Sequence, residues 1–103
     1  MTLQELKQRC ESQGFKYAYG MFKNEAEPPH IVAKIMDTNN FSADNVVYNK
    51  NTPIKLDYTY TSKNIEEQEK IENIILEDVF WNKTEETYLS DEEIWQVSYF
   101  FEI

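Results

Sequence analysis

Glycine is nearly absent from this chain. Gly14 and Gly20 are the only two in 103 residues, so neither a phosphate-cradling glycine loop nor a low-complexity segment is available. The single cysteine, Cys10, excludes an internal disulfide and fits a reducing compartment such as a cytoplasm. The single histidine, His30, leaves no His–His or His–Cys metal pair. No apolar run approaches the roughly 20 residues of a membrane span. Met1-Thr2-Leu3-Gln4-Glu5 lacks the basic-then-apolar order of a signal peptide. At this length the chain is expected to be one domain, residues 1–103, with a single core.

What is abundant is negative charge and aromatic surface. Residues 1–52 hold six acids and six bases, whereas residues 53–103 hold thirteen acids against four bases, so the whole net charge of −9 sits in the second half. That half is a poor partner for nucleic acid, because phosphate contacts need Lys and Arg. An acidic surface repels DNA, attracts a basic protein, or keeps the fold soluble. Seven Tyr, six Phe and two Trp exceed what one sheet face of a small core needs. In the last strand Phe100 falls opposite Trp95 and Phe101, with Ile94 on its side. Either the sheet is covered on both faces or part of one face meets another protein.

The chain is organised around a strand that hands over to a helix. Ile54, Leu56, Tyr58 and Tyr60 alternate with Lys55, Asp57, Thr59 and Thr61, the period of a half-buried strand. Asn64-Ile65-Glu66-Glu67 then resembles a capping box, and Ile71, Ile74, Ile75 and Val79 form one helical stripe with Leu76 and Phe80 beside it. This predicts a helix over Ile65–Phe80, about 24 Å long at ~1.5 Å per residue, lying over the sheet.

Thr2-Leu3-Gln4-Glu5 predicts a first helix over Thr2–Gln13, with Leu3, Leu6 and Cys10 on one face and Gly14 as its left-handed cap. Strands are expected over Phe15–Met21, His30–Met36 and from Val46 to Tyr48. The connections are a Pro-Pro loop over Lys23–Pro29, a turn over Asp37–Asn45 and a hairpin turn over Asn49–Pro53. Trp81–Leu89 reads as a strand interrupted by Lys83-Thr84-Glu85-Glu86; Ser90–Glu93 is a turn, and Trp95–Ile103 alternates cleanly. The order α-β-β-β-β-α-β-β, with hairpin-length connections, predicts an α+β fold: a mostly antiparallel sheet with two helices packed on one face.

Nothing here predicts catalysis. Cys10 lies on an apolar helix face without a neighbouring base, and His30 follows Pro29 at a strand entrance. Glu66, Glu67 and Glu69 sit at the positive end of a helix dipole, which accounts for them without a metal. Asp91, Glu92 and Glu93 form a second acidic knot, but the spacing and glycine of a calcium loop are missing. No catalytic, cofactor or metal site is expected.

The run Tyr17-Ala18-Tyr19-Gly20-Met21-Phe22, then Pro28-Pro29-His30-Ile31-Val32, then Asn39-Asn40-Phe41-Ser42-Ala43-Asp44-Asn45-Val46-Val47-Tyr48 resembles a family of small proteins from phages and prophages of Gram-positive bacteria. The similarity extends to Tyr99-Phe100-Phe101-Glu102-Ile103 and so covers essentially the whole chain. Members of that family more often show an aromatic residue at the His30 position and near Ala33. They are usually encoded among head–tail connection genes, just before the major tail protein. The resemblance therefore implies a tail terminator (tail completion, head–tail joining) protein of a long-tailed phage, with the tail-terminator fold. It implies a virion structural protein, present in the host cytoplasm before assembly, that is not an enzyme. Its expected partners are itself in a closed ring of about six subunits, the major tail tube protein and the head–tail connector. No membrane and no specific nucleic-acid binding is expected.

Within that resemblance, subunit and tube contacts are expected at Glu25, Pro28, Pro29, His30, Asn39, Asn40, Phe41 and Asp44. An acidic lumen lining that lets DNA pass is expected from Glu85, Glu86, Asp91, Glu92 and Glu93. A different class of function rests on the same charge: an acidic DNA mimic that occupies the groove of a basic nucleic-acid-binding protein.

Overall fold

The structure, a computed structural model, describes residues 1–36 and 52–103. The first helix, α1, spans Leu3–Ser12. Thr2 Oγ1 accepts the Glu5 amide at 3.1 Å, which fixes the start. The end is a Schellman closure. Gly14, at φ +87, donates its N–H to Glu11 O, and Phe15 donates to Cys10 O. Glycine tolerates that φ where a side chain would be strained, and Phe15 turns back into the core.

Among the described residues six strands form one sheet: β1 (Lys16–Tyr19), β2 (His30–Ile35), β3 (Pro53–Tyr60), β4 (Trp81–Lys83), β5 (Thr87–Leu89) and β6 (Ile94–Glu102). The order is β1-β2-β3-β6-β4, with β5 also on β6. Pairing is antiparallel except between β1 and β2. The hairpin-length connection predicts an antiparallel pair there. Residues 20–29 instead cross back over the sheet. Gly20, at φ +81, donates to Ala33 O. The chain then returns on the face away from the helices, where Phe22 meets His30 edge-on at 5.0 Å and Lys16 Nζ reaches Glu27 O at 3.1 Å.

Trp81–Leu89 is one arm broken by a bulge. Lys83 is opposite Tyr99 and Thr87 opposite Gln96, so residues 84–86 face only residues 97–98, one extra residue. Thr84 Oγ1 accepts the Ser98 amide at 3.1 Å, and Thr84 N–H donates to Ser98 O, so the ladder stays satisfied across the break. The expected interruption at Lys83–Glu86 is this bulge.

The second helix is shorter than its sequence pattern. α2 spans Ile65–Lys70, capped by Asn64 Oδ1 accepting the Glu67 amide, and widens into a π-helical turn over Ile71–Ile75. The helix does not reach Phe80. In the wider turn, residues four and five apart share a face, so Ile71, Ile75 and Leu76 are buried together. Ile74 is rotated outward and Phe80, past the helix, is fully exposed.

Both helices cover one face. Leu6, Cys10, Ile71, Ile75 and Leu76 pack on Ile31, Leu56, Tyr58, Val97 and Tyr99 in a single core. The expected strand over Val46–Tyr48, the expected turn over Asp37–Asn45 and residues 49–51 of the expected hairpin turn lie outside the described residues, while Pro53, expected in that turn, opens β3. No helix among the described residues is long and apolar enough to cross a membrane.

Candidate interaction site

The helix-two acids are bound by core tyrosines. Tyr58 OH donates to Glu67 at 2.6 Å and Tyr99 OH to Glu72 at 2.7 Å, where Lys83 Nζ also arrives at 2.8 Å. Tyr60 OH donates to Glu86, which also takes Lys63 Nζ at 2.5 Å. Burial, then the bond to a carboxylate, pushes all three phenols well above their ordinary range. Lys63, then the Tyr60 hydroxyl, holds the Glu86 carboxyl below the usual carboxylate range. The sequence signal for these pairs is the Tyr58–Tyr60 alternation: a tyrosine inside a core edge brings a hydroxyl that needs a partner. Glu86, expected in an acidic lining, is therefore committed to an internal network.

The other expected acids are free of such bonds. Glu85 is exposed at the bulge, and Asp91, Glu92 and Glu93 are exposed in the turn between β5 and β6. Glu93 takes φ +56, a left-handed conformation unusual for a residue with a side chain. Two sets of residues that were separate in the sequence meet here. Glu25 and Pro28, from the connection between β1 and β2, and His30, the first residue of β2, line one groove of about 610 Å³ with Asp91 and Glu92. Phe22, Ala26 and Ile94 supply its apolar wall and Asn24 a further polar group. Pro29 is exposed beside it, and Asn39, Asn40, Phe41 and Asp44 lie outside the described residues.

The groove is electrostatically one-sided. Glu25, Asp91 and Glu92 have no ion pair among the described residues, while Asp57, Glu72, Asp78 and Glu86 each have one. His30 adds no compensating charge at neutral pH, since burial and then the Lys16 charge push its imidazole below its ordinary value. His30 Nδ1 is the only buried side-chain nitrogen or oxygen among the described residues without a hydrogen-bond partner.

A second groove, of about 600 Å³, lies at the opposite end of the sheet between Met36, Pro53, Phe100 and the exposed Phe80. The Cys10 thiol is pushed up to about 12, by burial first and then Glu11, so it stays protonated. Among the described residues no group of three or more His, Cys, Asp or Glu side chains is placed to hold a metal. No protein-family model, curated protein or solved structure matches this chain.

Proposed function

We propose that this protein is a tail terminator of a long-tailed phage, capping the tail tube as a ring and joining it to the head connector. The observation that carries the reading is that, among the described residues, the sheet is open with two unlike edges, β1 on one side and the bulged β4–β5 arm on the other. Unlike edges suit a heterologous head-to-tail contact, which closes into a ring when the rotation allows. The resemblance over Phe15–Tyr48 and Tyr99–Ile103 supplies the biological setting.

Charge supports the same reading in part. The exposed acids of the outer arm, Glu85 and Glu93, would repel DNA phosphate if that arm faces a lumen. Glu86 adds little, because Lys63 already neutralises it.

Native mass across a range of concentrations, alone and with tail tubes of the major tail protein, tests this reading. Negative-stain imaging of large species follows. A closed ring of about six subunits, alone or on tube ends, is expected. A chain that stays monomeric at high concentration and ignores tube ends overturns the proposal. Salt-sensitive capture of a basic DNA-binding protein would then support the DNA-mimic reading instead.

A further inference from the structure

We infer that the groove between the β1–β2 connection and the β5–β6 turn is a docking site for a partner protein segment carrying Lys or Arg beside an apolar side chain. Three observations converge on that occupant. The site is concave, about 610 Å³, and built from two segments far apart in sequence. Its rim carries Glu25, Asp91 and Glu92, none with a cation of its own among the described residues. Its wall of Phe22, Pro28 and Ile94 is apolar.

Those features match a long cationic side chain in both its parts. The methylene stem lies along apolar surface while the charged head stays at the wet rim. Carboxylates accept the N–H donors of a guanidinium in charge-assisted bonds. A phosphate or a nucleic acid is repelled by the same rim, and a purely apolar ligand would leave three carboxylates desolvated without partners.

The concave setting separates these acids from Glu66, Glu69 and Glu77, three other carboxylates without an ion pair among the described residues. Glu66, Glu69 and Glu77 are exposed on helix two and the turn after it, and line neither groove. Asp91 and Glu92 are thereby assigned to protein contact rather than to a lumen lining. Ring assembly and groove binding are read in separate experiments, so either can fail alone.

The test is a ¹⁵N–¹H NMR titration of the full chain with the peptide Ac-Leu-Arg-Leu-Arg-NH2, with Ac-Leu-Gln-Leu-Gln-NH2 as control. Shifts are expected at residues 22–30 and 91–94 with the arginine peptide only, weakening as salt rises from about 50 to about 500 mM. The double variant Asp91→Asn/Glu92→Gln should weaken binding about tenfold with its spectrum otherwise intact. Glu85→Gln, an exposed acid outside the groove, should leave it unchanged. Shifts spread evenly over Glu66–Glu77, or binding unchanged in the double variant, would overturn the inference. If that variant unfolds, Glu25→Gln on the opposite wall gives the same reading.

Discussion

Arg9 on α1 holds Asp78 through two parallel hydrogen bonds, Nη1 to Oδ1 at 2.7 Å and Nη2 to Oδ2 at 3.0 Å. The same Nη1 donates to Ile75 O at 3.0 Å, satisfying a carbonyl at the end of the π-helical turn. One side chain thus ties the first helix to the end of the second, across 69 residues of sequence. The guanidinium holds the Asp78 carboxyl below the usual range, and Asp78 in turn raises Arg9.

Lysine cannot reproduce that fork. Arg9→Lys should lower stability by about 1 kcal/mol, near the top of the range for exposed pairs, because a backbone cap is lost with the pair. Asp78→Asn, at a half-exposed carboxylate, should cost about half as much. Urea denaturation of both variants at low and high salt measures this; equal, negligible losses would mean the clamp contributes nothing.

The π-helical turn gives neighbouring isoleucines opposite fates. Ile75 is fully buried and Ile74 is 46 % exposed, although the sequence stripe puts them on one face. Ile75→Ala should cost about 3 kcal/mol from lost burial and the cavity left behind. Ile74→Ala should cost under about 0.5 kcal/mol. Thermal melts of the two variants compare them directly, and comparable losses would restore a regular helix through Val79.

Stability should fall with pH in two steps. Folding favours neutral His30, whose value is lowered from the ordinary 6.5. The stability tied to it is therefore complete above about pH 6.5 and drains as pH falls through the lower folded value. Asp78 and Glu86 are also lowered, and their contribution is lost only further down, through the carboxylate range. His30→Phe should remove the first step and leave the second. Unfolding free energies at pH 7.5, 5.5 and 3.5 check this.

Glu93 holds a left-handed backbone in the β5–β6 turn at φ +56. Its side chain does not line the groove beside it. Glu93→Gly or Glu93→Asn should raise stability by roughly 0.5 kcal/mol, the relieved strain less the added chain entropy. A midpoint shift in guanidinium, with groove binding retained, is the expected readout.

Local chemistry made much of this fold legible in the sequence. Thr2, Asn64 and Gly14 mark helix ends because caps are decided within three or four residues, although Glu67, the other half of the expected capping box at Asn64, accepts from Tyr58 instead. The alternation in β3 and β6 assigns Tyr58, Val97, Tyr99 and Phe101 to the buried face for the same short-range reason. The α+β class follows from the order of these elements.

Tertiary contact decided the rest. Whether β1 pairs parallel or antiparallel depends on where residues 20–29 find cover, and that cover is His30 on the far face. The Ile75 carbonyl at the early end of the second helix finds its donor in Arg9, far off in sequence. The groove depends on two loops meeting, since Glu25 and Asp91 acquire a common surface only once β1, β2, β3 and β6 lie side by side. Periodicity carries information over a few turns; contact between distant segments is set by how one core is filled.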